Sequence, residues 1–120
     1  MTNREKLLRD FNNAFLTNDV HFIVSQLADD VVWDMVGDQK ISGKENVRAA
    51  MEAMAGSMKT LEMKVDQCII QDRQAAVCGT MRMLDKGNEI TFGFCDVYTF
   101  SESENDKIKA MNSYVVPLKN

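Results

Sequence analysis

The chain is short of the residues that bind metals, staple small folds or grip polyanions. Its only histidine is His21, and its three cysteines, Cys68, Cys78 and Cys95, include no pair at CxxC spacing. A transition-metal centre needs several such ligands, so none is expected. An odd number of isolated cysteines on strand-like segments reads as small buried groups in a reducing, cytoplasmic setting. The charge balance is 14 basic against 18 acidic residues, net -4. With no basic run, it argues against nucleic acid and against an anionic membrane surface. No apolar stretch reaches transmembrane length, and the polar start from Met1 to Lys6 is unlike a signal peptide. Gly37 and Gly43 are one residue too far apart for a phosphate loop, and Glu45 stands where serine or threonine is required. No Ser/His/Asp arrangement stands above chance.

What remains is an ordinary globular composition, 45% apolar and 27% charged over 120 residues. That length predicts one domain, residues 1–120, able to bury roughly two-thirds of its unfolded surface without a staple. Thr2 to Glu5 has capping-box spacing, and Leu7, Leu8, Phe11, Ala14 and Phe15 follow at helical period. Asp19 caps a second, short helix carrying Val20, Ile23, Val24 and Leu27, which Ala28-Asp29-Asp30 ends. Val31–Val36 reads as a strand and Gly37–Lys40 as a loop. Ser42 to Glu45 reads as another capping box, opening a helix with Val47, Ala50, Met51 and Met54 as its buried stripe. Four strands then follow, over Leu61–Gln71, Ala75–Leu84, Glu89–Phe100 and Lys107–Val116. Helices first and an antiparallel meander later imply an α+β fold. The acids Glu102, Glu104 and Asp106 read as a solvated loop, and His21 as a surface residue.

Two acids stand in apolar company. On the strand ending at Phe100, one face carries Ile90, Phe92, Phe94, Asp96, Tyr98 and Phe100. A carboxyl group there must be hydrogen-bonded, paired or protonated. Asp34 lies between Val32 and Val36 on one face of its strand, with Val31, Trp33 and Met35 on the other. Neither face is polar, so Asp34 is expected to be partly buried. The plainer alternatives are a structural acid bonded to a buried polar group for Asp96, and a solvated strand end for Asp34.

The run Ala28-Asp29-Asp30-Val31-Val32-Trp33-Asp34-Met35-Val36-Gly37 carries a resemblance. With Gly43, Cys95 to Phe100, Ala110 to Tyr114 and the element order, it resembles the nuclear transport factor 2-like superfamily, in its SnoaL-like and ketosteroid isomerase-like branch. The resemblance implies a cone: three N-terminal helices packed on a curved, mostly antiparallel sheet that encloses one apolar pocket. It casts Asp34 as a proton-transferring base and Asp96 as a protonated donor to an oxyanion. The tyrosine of ketosteroid isomerases falls on Phe11, which has no hydroxyl to donate. Pocket positions implied for a small apolar ligand are Phe11, Phe15, Val32, Val36, Met81, Met83, Phe94, Met111, Ser113 and Val115. On the last strand Met111, Ser113 and Val115 are expected to point inward. Asn112, Tyr114 and Val116 are expected to face outward, toward a second copy in a homodimer. The function so implied is cofactor-free proton transfer next to a carbonyl, of isomerase or cyclase type. The rivals are a non-catalytic binder of a small apolar ligand and a dimeric protein-interaction module.

Overall fold

The computed structural model describes residues 2–103 and 106–119, so Glu104 of the polar loop lies outside the described residues. The elements are α1 (Asn3–Leu16), α2 (Val20–Ser25), β1 (Leu27–Met35), β2 (Gln39–Ser42) and α3 (Lys44–Ser57). They are followed by β3 (Met58–Gln71), β4 (Gln74–Asp85), β5 (Asn88–Phe100) and β6 (Ile108–Pro117). One sheet holds all six strands in the order β2-β1-β6-β5-β4-β3. All neighbouring strands run antiparallel except β1 and β6, which are parallel. The architecture is the expected α+β cone, with helices covering the inner face of a curved sheet.

Local chemistry explains most boundaries. Thr2 Oγ1 accepts from the Glu5 amide at 3.1 Å, and Asp19 Oδ1 accepts from the Phe22 amide at 3.1 Å. Each cap satisfies an amide that the first helical turn leaves without a partner. The cap expected at Ser42 is not formed. Gly43 takes that position at φ 92°, with no side-chain cap. The Ser42 carbonyl instead accepts from Asn46 Nδ2 at 2.9 Å. α1 buries Leu8, Phe11 and Ala14, and α3 buries Val47 and Met51. Full burial of such side chains stabilises by roughly 1.5–3 kcal/mol for each large one.

Two segments differ from the sequence reading. β1 begins at Leu27, before the expected Val31, because Leu27 and Ala28 are buried and Leu27 pairs with Ile108 of β6. Asp29 and Asp30 stay exposed, and the register shifts between Leu27 and Val32. The expected loop at Gln39-Lys40 is the start of β2. Gly37, at φ 87°, turns the chain so that Gln39–Ser42 lies antiparallel on β1.

β3 departs from simple alternation twice. Register shifts between Thr60 and Glu62 and between Val65 and Gln67 each insert one residue. Inward positions therefore run Thr60, Met63, Val65, Cys68 and Ile70, while Lys59, Glu62, Lys64 and Asp66 stay exposed. Such bulges bend a strand and strengthen its twist. At the second bulge the Lys64 carbonyl crosses Gly79 of β4, where a Cβ would lie 1.9 Å from its oxygen. Only glycine allows β3 this close approach.

Candidate functional site

The helices and the inner sheet face leave a cavity of about 340 Å³. β5 contributes Phe94, Asp96 and Tyr98 from one face. β6 sets Val115, Ser113 and Met111 directly opposite those three residues. β1 continues the row, with Trp33 beside Met111 and Met35 beside Ser113. Met81 and Met83 of β4, Met63 and Thr60 of β3, and Phe11, Asn12 and Phe15 of α1 complete most of the wall. Val36 and Val115, 45% and 44% exposed, sit with Gly37 and Asp38 at the mouth.

Six methionines line this space, Met35, Met54, Met63, Met81, Met83 and Met111. Their thioether chains adapt to irregular apolar shapes, which favours a ligand without a rigid polar outline. Among the described residues no lysine, arginine or histidine lines the cavity, so nothing there neutralises an anionic ligand.

A directed chain of hydrogen bonds crosses the floor. Asn12 Nδ2 donates to the Leu8 carbonyl at 2.8 Å and to Tyr98 Oη at 3.3 Å. The Tyr98 hydroxyl donates to Asp96 Oδ2 at 3.4 Å. From the other side Trp33 Nε1 donates to Ser113 Oγ at 2.9 Å, and the Ser113 hydroxyl is hydrogen-bonded to the Asp96 carboxyl group. Both arms converge on Asp96. Phe11 packs edge-on against Tyr98 at 5.8 Å and against Phe15 at 5.6 Å, which fixes the phenol in place.

Burial pushes the Asp96 carboxyl up from 3.8 to about 6, against the opposing pull of the Ser113 and Tyr98 hydrogen bonds. Burial, and then the Asp96 charge, push the Tyr98 phenol well above its ordinary value, so it acts as a neutral donor. A carboxyl group titrating near neutrality exchanges a proton in either direction, which general acid–base chemistry requires. Among the described residues no cluster of three or more His, Cys, Asp or Glu side chains could hold a metal.

Of the positions expected from sequence, Phe11, Phe15, Val36, Met81, Met83, Phe94, Asp96, Met111, Ser113 and Val115 line the cavity. Asp34 and Val32 do not. Trp33 and Met35 turn inward, and strand alternation puts Val32 and Asp34 on the outer face, with Asp34 in register with Asn112 and Lys40. The acid at the mouth is Asp38. Asn12, Trp33, Met35, Gly37, Asp38, Met54, Thr60, Met63 and Tyr98 line the cavity beyond the positions expected from sequence. Two of them had a readable signal: Asn12 lies four residues after Leu8 in the buried stripe of α1, and Tyr98 shares the strand face of Asp96.

A model of the SnoaL-like domain matches residues 8–111. The chain belongs to this family. No curated protein matches it. Among solved structures, the chain is similar to an LEH-like epoxide hydrolase from M. tuberculosis. The identity is 20%, the TM-score 0.81, and the match covers 92% of this chain and 80% of that one. An NTF2-like protein of unknown function from Burkholderia pseudomallei is 22% identical at TM-score 0.82, over 97% of this chain and 92% of that one. Another, from Cytophaga hutchinsonii, is 26% identical at TM-score 0.73, over 93% and 98%. Likeness at these identities establishes the fold, and the activity is argued from the site.

Proposed function

We propose that this SnoaL-like protein is a cofactor-free enzyme that moves a proton on a small, uncharged, largely apolar molecule carrying an oxygen function. Asp96 is the proton-transferring group. The observation that carries this reading is a single carboxyl group, raised to about 6, at the meeting point of two hydrogen-bond arms on an apolar floor. As the carboxylate it takes a proton α to a carbonyl. As the acid it returns that proton at another carbon or donates to the developing oxyanion. One group serving both steps gives isomerisation. In an aldol-type cyclisation the carboxylate takes the α-proton, the carbanion attacks a second carbonyl carbon, and the acid so formed returns the proton to the alkoxide oxygen. Asp34 has no part in this scheme, because its side chain lies on the other face of β1. The Tyr98 and Ser113 hydroxyls hold the carboxyl group in orientation, and the methionine wall excludes water.

The test is proton exchange in D₂O, followed by NMR, over a panel of small apolar ketones and enones. A parallel assay follows epoxide opening, a chemistry named for one structural relative. Faster α-proton exchange or turnover with the native protein than with Asp96→Asn supports the reading. Equal rates, together with thermal stabilisation by the same compounds, would leave a non-catalytic binder of small apolar ligands. The reading includes a homodimer through the convex sheet face, where Tyr114 and Val116 are 45% and 60% exposed. Sedimentation at micromolar concentration giving only monomer would remove the dimer.

A further inference from the structure

On the outer sheet face, away from the cavity, two thiols meet. Cys78 of β4 and Cys95 of β5 are direct cross-strand partners, with Sγ atoms 3.1 Å apart. Both are half-buried. Their outer neighbours in register, Gln67 on β3 and Tyr114 on β6, are exposed. We propose that Cys78 and Cys95 form an oxidant-responsive dithiol site, which a small peroxide converts to an intrachain disulfide.

The geometry needs little change. Directly opposed residues in an antiparallel pair have Cα atoms about 4.5–5.5 Å apart, inside the span a disulfide bridges. The sulfurs must close from 3.1 Å to about 2.05 Å, a movement within reach of small χ1 adjustments. The chemistry balances with the peroxide as oxidant. One thiol, as thiolate, attacks a peroxide oxygen; the O–O bond breaks, and a sulfenic acid and a first water result. The second thiol attacks that sulfur; the S–O bond breaks, the S–S bond forms, and a second water leaves. Two thiols and one hydrogen peroxide give one disulfide and two waters.

Cys68 does not compete. It is in register with the fully buried Val77 and packs against the core, on the opposite face of the sheet from the Cys78–Cys95 pair. Both cysteines are free in the structure, and burial, and then the hydrogen bond with Cys78, push the Cys95 thiol up to about 11, so Cys95 rests protonated. The crosslink would tie together the two strands whose other faces carry Met81, Phe94 and Asp96.

The experiment exposes the purified chain to hydrogen peroxide and then counts thiols under denaturing, non-reducing conditions. Protein is kept as dilute as detection allows, because the proposed dimer interface lies on this same face. Peptide mapping locates any bridge. The expected result is loss of two of the three thiols, one peptide pair joined through Cys78 and Cys95, an alkylated Cys68, and full recovery with a reductant. Cys68→Ser should form the same bridge at the same rate, and Cys95→Ser should form none within the chain. Retention of all three thiols, sulfinic acids without a bridge, or a bridge through Cys68 would overturn the proposal. Should Cys95→Ser fail to fold, the map of the native chain decides alone.

Discussion

Replacing Asp96 by asparagine removes an ionisation that opposes folding, and the gain should depend on pH in a defined way. The shift from 3.8 to about 6 corresponds to roughly 3 kcal/mol. Below about pH 4 the carboxyl group is protonated in both folded and unfolded chains and has no effect. Between about pH 4 and 6 the unfolded chain releases its proton while the folded chain keeps it, so the unfolded state gains and stability falls. Above about 6 both states are ionised and the penalty stays constant. Asp96→Asn lacks this titration, and the other carboxyl groups titrate alike in both proteins and cancel in the difference. Urea unfolding at several pH values from about 3 to 7 measures it. The stability of the variant minus that of the native protein should rise by roughly 3 kcal/mol from acid to neutral pH, whatever its starting value. A flat difference would mean that folding does not shift the carboxyl group, and one that falls toward neutral pH that the carboxylate is the favoured form; either result removes the raised acid on which the proton-transfer role rests.

Three further substitutions test the same geometry. Tyr98→Phe removes one donor that favours ionised Asp96, so the Asp96 titration, followed by carboxyl ¹³C NMR, should move above about 6. The same change should cost about 1–2 kcal/mol, because Asn12 loses an acceptor. Gly79→Ala should destabilise by roughly 2–4 kcal/mol in chemical denaturation, since a Cβ would meet the Lys64 carbonyl oxygen at 1.9 Å and backbone must move. Asp34→Asn should leave α-proton exchange within about twofold of the native rate; a loss comparable to Asp96→Asn would return the base role to Asp34.

How far the sequence discloses this molecule depends on where its periodicity is unambiguous. On β5 the aromatic face is continuous, so the burial of Asp96 follows from counting by twos. The parity of β6 is equally readable, because Met111, Ser113 and Val115 alternate with Asn112, Tyr114 and Val116. β1 offers no such contrast. Both of its faces are apolar, and the choice between them is made by pairing with β6, where Trp33 reaches Ser113. That choice turns Asp34 and Val32 outward, and nothing local to Val31–Val36 announces it. The bulges of β3 are hidden for a related reason. An inserted residue changes which side chains face inward without changing composition, so Cys68 and Ile70 cannot be placed by extending the alternation of Met63 and Val65. β2 has only four residues, too few for a period to show.

The irregular course of β3 also bears on self-association. It is one of the two edges of the sheet, 14 residues long, a length at which unpaired amides and carbonyls can template an added strand. Its two bulges break the spacing that an incoming strand would have to match. Lys59, Glu62, Lys64 and Asp66 place alternating charges along the same stretch, so a second β3 in parallel register would bring like charges together. The residues that bend the sheet around its cavity therefore also guard this edge against runaway strand addition.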